Sequence, residues 1–119
     1  MNAVRTVLVV EDNIQICEYL TEVLKDADYN VVCAQNGEEA VEALDHEQVD
    51  LAIVDLLLPG GVSGDDIAAR AVESRAKVIT MSGSLSSDTR GRDLRHPHLQ
   101  KPFRGPALLA EIEKVFGSG

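Results

Sequence analysis

Residues 51–64 read LAIVDLLLPGGVSG: four apolar residues, then Asp55, then three leucines closed off by Pro59-Gly60-Gly61, then Ser63-Gly64. A short continuous apolar run bounded by turn residues is the signature of a strand buried on both faces, as in a parallel sheet. Asp55 would then stand at the carboxyl end of that strand, where open α/β sheets bind their ligands.

Working outward, the same rhythm recurs along the chain. Strands are expected at Thr6–Val10 (TVLVV), Asn30–Ala34 (NVVCA), Leu51–Val54 (LAIV), Val78–Met81 (VITM) and a short His98–Gln100 (HLQ). Amphipathic stretches lie between them. Roughly Asn13 to Lys25, Ile16, Leu20 and Leu24 recur at four-residue spacing and predict a helix that buries them. Asn36 stands three residues before Glu39 and Ser63 three before Asp66, so each can accept from a free amide at a helix start. Gly105-Pro106 opens a last helix with Leu108, Leu109, Ile112, Val115 and Phe116 on one face. From Ser84 to Arg95, Ser, Thr and Gly91 favour helix poorly and only Leu85 and Leu94 can anchor it, which predicts a short or frayed fourth helix. Strands alternating with helices predict one α/β domain over residues 1–119, a five-stranded parallel sheet covered by helices on both faces.

The composition narrows the partners. Hydrophobic residues make up 45% of the chain and aromatics 3%, so the core is to be built from Val, Leu, Ile and Ala. A net charge of −9 without a cluster of Lys and Arg opposes binding to nucleic acid or anionic lipid. Neither a leader-like segment nor a long apolar run is present, which predicts a cytoplasmic domain with no membrane partner. Cys17 and Cys33 lack C-x-x-C spacing and read as buried, inert thiols. His96 and His98, flanking Pro97, read as loop residues rather than a metal pair.

Polar residues collect at the strand ends: Glu11 and Asp12 after the first strand, Asp55 after the third, Ser82 after the fourth and Lys101 after the fifth. If the strand order is 2-1-3-4-5, the first and third strands are neighbours and three carboxylates meet. Their repulsion raises their pKa values unless a cation intervenes, and an all-oxygen donor set suits a hard ion such as Mg²⁺ or Mn²⁺.

Four motifs in this order, VLVVEDN (7–13), LAIVDLLLPGGVSG (51–64), ITMSG (79–83) and QKPF (100–103), resemble the receiver domains of two-component response regulators and hybrid histidine kinases. The resemblance covers nearly the whole chain. It implies a flavodoxin-like, doubly wound sheet of order 2-1-3-4-5 and a phosphorylation switch in a two-component system or phosphorelay. Asp55 matches the phosphoacceptor, and Glu11 and Asp12, with Asp55 and the backbone carbonyl of Leu57, match the Mg²⁺ ligands. Ser82 matches the hydroxyl that turns toward the phosphoryl group, Lys101 the ammonium that pairs with it, and His98 the position of a ring that swings inward on activation. The Lys101-Pro102 bond is implied to be cis.

The implied donor is a phosphohistidine on a sensor histidine kinase or histidine phosphotransfer protein, so the domain would catalyse only its own phosphorylation and slow dephosphorylation. Two departures stand out: Glu11 replaces the more usual Asp, and Gly60-Gly61 makes the loop after Pro59 one residue longer. The alternative is a pseudo-receiver, a protein-binding module of the same fold that is never phosphorylated, which intact Asp55, Ser82 and Lys101 oppose. A metal-dependent hydrolase or nuclease is opposed by the absence of a second Asp two residues after Asp55 and of a basic groove.

Overall fold

The computed structural model describes residues 4–83 and 96–117. Its elements run β1 (Thr6–Val10), α1 (Ile14–Asp26), β2 (Asn30–Ala34), α2 (Gly37–His46), β3 (Leu51–Asp55), α3 (Gly64–Glu73), β4 (Lys77–Ser82), β5 (His98–Gln100) and α4 (Gly105–Phe116). The strands form one parallel sheet in the order β2-β1-β3-β4-β5. All five expected strands are present. β3 and β4 run one residue further than expected, so Asp55 and Ser82 close their strands instead of opening the loops, and β4 begins at Lys77. The expected fourth helix, Ser84 to Arg95, lies outside the described residues. No helix among the described residues is long and apolar enough to cross a membrane.

The alternation of side chains along a strand divides the core in two. Leu8, Val10, Ala52 and Val54 point toward α2 and α3, where they pack with Ala40, Ile67 and Ala71. Val7, Val9, Leu51 and Ile53 point the other way, onto Leu20, Leu24, Leu108 and Ile112 of α1 and α4. Because both faces are covered, β1 from Val7 to Val10 and β3 from Leu51 to Val54 are apolar on every position, with no polar alternation. One expectation is corrected here: α1 buries Cys17 with Leu20 and Leu24, while Ile16 packs part-buried at the margin.

Helix starts follow the capping residues. Asn13 accepts from the Ile16 amide at 3.1 Å, Asn36 from Glu39 at 2.8 Å and Ser63 from Asp66 at 3.1 Å. The first cap is therefore Asn13. At α3 the fold needs a residue without a side chain, since a Cβ on Gly64 would come within 2.5 Å of the Asp55 carbonyl oxygen. That contact seats the amino end of α3 directly against the end of β3. Gly61, in the extended loop, has nothing within 4 Å of the same position.

The contrast is testable by urea unfolding. Gly64→Ala should lower stability by about 1–3 kcal/mol, because backbone must move to admit the methyl group, whereas Gly61→Ala should stay within about 0.5 kcal/mol of the wild type. Equal effects at the two positions would remove the claim that α3 is docked through Gly64.

Candidate functional site

Parallel registers set the strand ends side by side: Val10 pairs with Val54, and Asp55 with Met81. Glu11, Asp12 and Asp55 consequently converge, and one carboxylate oxygen from each lies within 4.8 Å of the others. Glu11 and Asp55 are buried and Asp12 is exposed, so the cluster opens to solvent on one side.

Each buried carboxylate is held by its neighbours. Asp55 Oδ1 accepts from the Leu57 amide at 2.9 Å, and Oδ2 accepts from Lys101 Nζ at 2.9 Å. Glu11 Oε2 accepts from the Asn13 amide at 3.0 Å, and Oε1 pairs with the same Lys101 ammonium. The extra methylene of glutamate, relative to aspartate, spans the gap to Lys101. That lysine is placed by the sheet: its amide donates to the Ser82 carbonyl at 2.8 Å, and the Lys101-Pro102 bond is cis, as the resemblance implies.

Burial is the main cause that lifts the Glu11 pKa above its ordinary value. Hydrogen bonds from Lys101 and the Asn13 amide pull it back only in part, and the Asp55 charge adds to the rise. For Lys101, burial is again the largest influence and works to lower the pKa, but the hydrogen bonds to Glu11 and Asp55 outweigh it. The result is raised, so the group is an ammonium at neutral pH.

The donor set fits a hard divalent cation. Three carboxylates meet, one of them open to solvent, and among the described residues a single ammonium compensates the two buried acids. The Leu57 backbone sits beside Asp55 through its amide, and its side chain is exposed.

Ser82 closes β4 fully buried, and its hydroxyl is engaged by His98 Nε2 at 2.9 Å. Thr80, two residues back on the same face, holds His98 Nδ1 at 2.7 Å. The His98 ring thus spans two hydroxyls of β4, and a neutral imidazole gives one of them a donor and the other an acceptor. Thr80 was not among the expected site residues. Its signal was the alternation in ITMS, which turns Thr80 and Ser82 to the same side of a strand. Asn13, whose amide binds Glu11 and whose side chain caps α1, is a second such residue.

The profile of the response regulator receiver domain family matches residues 7–113. The probable transcriptional regulatory protein SilR of Salmonella typhimurium is 33% identical over 119 residues, covering 95% of this chain and 51% of SilR. The regulatory protein VanR of Enterococcus faecium is 30% identical over 114 residues, covering 90% of this chain and 48% of VanR. The chain therefore spans about half the length of the curated relatives it matches. Among solved structures, response regulator protein TrrA from Thermotoga maritima, in complex with Mg(2+)-BeF, superposes with a TM-score of 0.79 at 31% identity, covering 93% of this chain and 98% of that one.

The Lys101 arrangement predicts a pH-dependent defect. In metal-free buffer, Lys101→Met should lose about 3 kcal/mol at neutral pH, because two buried carboxylates are left uncompensated. With its folded pKa already raised, Glu11 favours the folded state more when protonated, so the deficit should shrink as pH falls through the Glu11 value. Carboxyl NMR should show Glu11 titrating above the ordinary range in the wild type and higher still in the variant. A deficit independent of pH would contradict the assignment.

Proposed function

This chain belongs to the response regulator receiver domain family, and we propose on that premise that it is a phosphorylation switch in which Asp55 accepts a phosphoryl group from a phosphohistidine. The observation that carries the reading is Asp55 at the centre of an acidic cluster with Lys101 hydrogen-bonded to one of its oxygens. A sensor histidine kinase or histidine phosphotransfer protein would supply the donor, in the cytoplasm.

In that reaction a carboxylate oxygen of Asp55 forms a bond to phosphorus while the phosphorus–nitrogen bond of the donor breaks, and the electron pair leaves with the imidazole. The product is an aspartyl phosphate. The Leu57 amide fixes the orientation of the Asp55 carboxylate, and the Lys101 ammonium offsets negative charge on the transferring group. Glu11, Asp12, Asp55 and the Leu57 carbonyl would hold Mg²⁺ or Mn²⁺, whose charge offsets that of the acids and the phosphoryl oxygens. The Mg(2+)-BeF complex of TrrA supports this choice of cation.

Mass spectrometry after treatment with acetyl phosphate tests the reading. Label should appear on Asp55 in Mg²⁺, and should vanish in EDTA or in Asp55→Asn. Label on Asp55→Asn, or full labelling of the wild type in EDTA, would overturn it.

Ser82 and His98 supply the switch. With the Ser82 proton donated to His98 Nε2, the hydroxyl has none to give a phosphoryl oxygen, so activation in that tautomer exchanges the hydrogen bond to His98 for one to the phosphoryl group. Losing one hydrogen bond of the resting state is worth about 1 kcal/mol. His98→Phe should therefore bind Mg²⁺ with beryllofluoride about fivefold more tightly than the wild type, and weaker binding would count against this role.

A further inference from the structure

Two thiols that the acidic site does not use meet at the edge of the sheet. Cys17, on α1, is buried, but Cys33, on the edge strand β2, is exposed, which corrects the expectation of two buried, inert cysteines. The Cys33 sulfur lies 3.1 Å from Thr21 Oγ1 and 4.0 Å from the Cys17 carbonyl oxygen, and both cysteines line one groove. Cys17, Thr21 and Lys25 recur at four-residue spacing on α1, so a thiol, a hydroxyl and an ammonium line the helix face beside β2. A solvent-open groove of about 510 Å³ lies over the pair, its lining including Cys17, Thr21, Cys33 and the carboxylates of Glu18 and Glu22.

We propose that Cys33 and Cys17 form a dithiol site that a hydroperoxide oxidises to an intramolecular disulfide joining β2 to α1. Cys33 is the attacking sulfur because it is the accessible one. Hydrogen bonding from the Cys17 thiol holds the Cys33 pKa down at about 6. Partial burial opposes this, and the Thr21 hydroxyl and the Lys25 charge reinforce it.

The Cys33 thiolate attacks the peroxide, a sulfur–oxygen bond forms, the oxygen–oxygen bond breaks, and the departing oxygen takes a proton as an alcohol or as water. Cys17 sulfur then attacks the sulfenic sulfur of Cys33. The sulfur–sulfur bond forms, the sulfur–oxygen bond breaks, and the Cys17 proton leaves with the oxygen as water. Two thiols are oxidised by two electrons while the hydroperoxide is reduced. The Cys17 sulfur also stands 3.4 Å from the Glu11 carbonyl oxygen, so the bridge ties the edge of the sheet to the acidic corner.

Hydrogen peroxide added to the full chain, followed by mass spectrometry, provides the test. The wild type should lose two hydrogens as a monomer, with peptides containing Cys17 and Cys33 linked and released by dithiothreitol. Cys17→Ala should stop at a Cys33 sulfenic acid that dimedone traps, and Cys33→Ala should form no disulfide. Alkylation of Cys33 by iodoacetamide should level off with a midpoint near about 6. A Cys33 sulfenic acid that accumulates in the wild type without linking to Cys17 would overturn the proposal, as would an alkylation midpoint at the ordinary thiol value. If Cys17→Ala fails to fold, peptide mapping of the wild type still decides. Asp55 labelling is no part of the readout, so the outcome stands apart from the proposed switch.

Discussion

The ammonium of Lys101 is shared between the buried carboxylates of Glu11 and Asp55, and the polar edge of the sheet is arranged around that single charge. A doubly covered parallel sheet gives its strands no polar face, so acids at the ends of β1 and β3 are sunk against the core whether or not they are neutralised. Burial alone drives Glu11 toward the protonated form. Among the described residues, one cation, carried just past the end of β5, reaches both carboxylates.

Such clusters are poor devices for stability. Replacing a buried ion pair by apolar side chains of similar volume is often neutral or favourable by about 1–4 kcal/mol. The surrounding core, built from Val, Leu, Ile and Ala on both faces, has ample apolar area to hold the sheet without Lys101. The trio is better understood as a charge reserve maintained at a cost in stability, which agrees with the proposed phosphoryl chemistry and with the opening at exposed Asp12.

Much of the fold was legible because its determinants are local. Continuous apolar runs marked β1 and β3, Asn36 and Ser63 marked the starts of α2 and α3, and Gly105-Pro106 marked α4. The acidic cluster was legible because strand ends converge once strand order is known. The misreading of α1 has a geometric cause. Steps of four residues drift about 40° around a helix, so Ile16, Leu20 and Leu24 spread across its surface, whereas Cys17, Leu20 and Leu24 alternate steps of three and four and stay in line. Cys33 was misjudged because residue type suggests burial, while its exposure depends on β2 being an edge strand that α1 covers incompletely. The pairing of His98 with Thr80 and Ser82 depends on the β4–β5 register, which three residues of β5 do not encode by pattern.

Glu11 in place of the usual Asp changes what the site can do before any ligand arrives. Its longer arm lets one carboxylate take the Asn13 amide on one oxygen and Lys101 on the other, so the lysine is engaged twice instead of once. On the proposed reading, an ammonium held by two acids is less available to an incoming phosphoryl group than one held by Asp55 alone. A cation at the acidic cluster would compete with Lys101 for the Glu11 carboxylate, whose anion burial disfavours. The lysine then keeps its bond to Asp55 and gains freedom to meet an anion. On that reading the substitution would couple the readiness of Lys101 to the occupancy of the acids beside it.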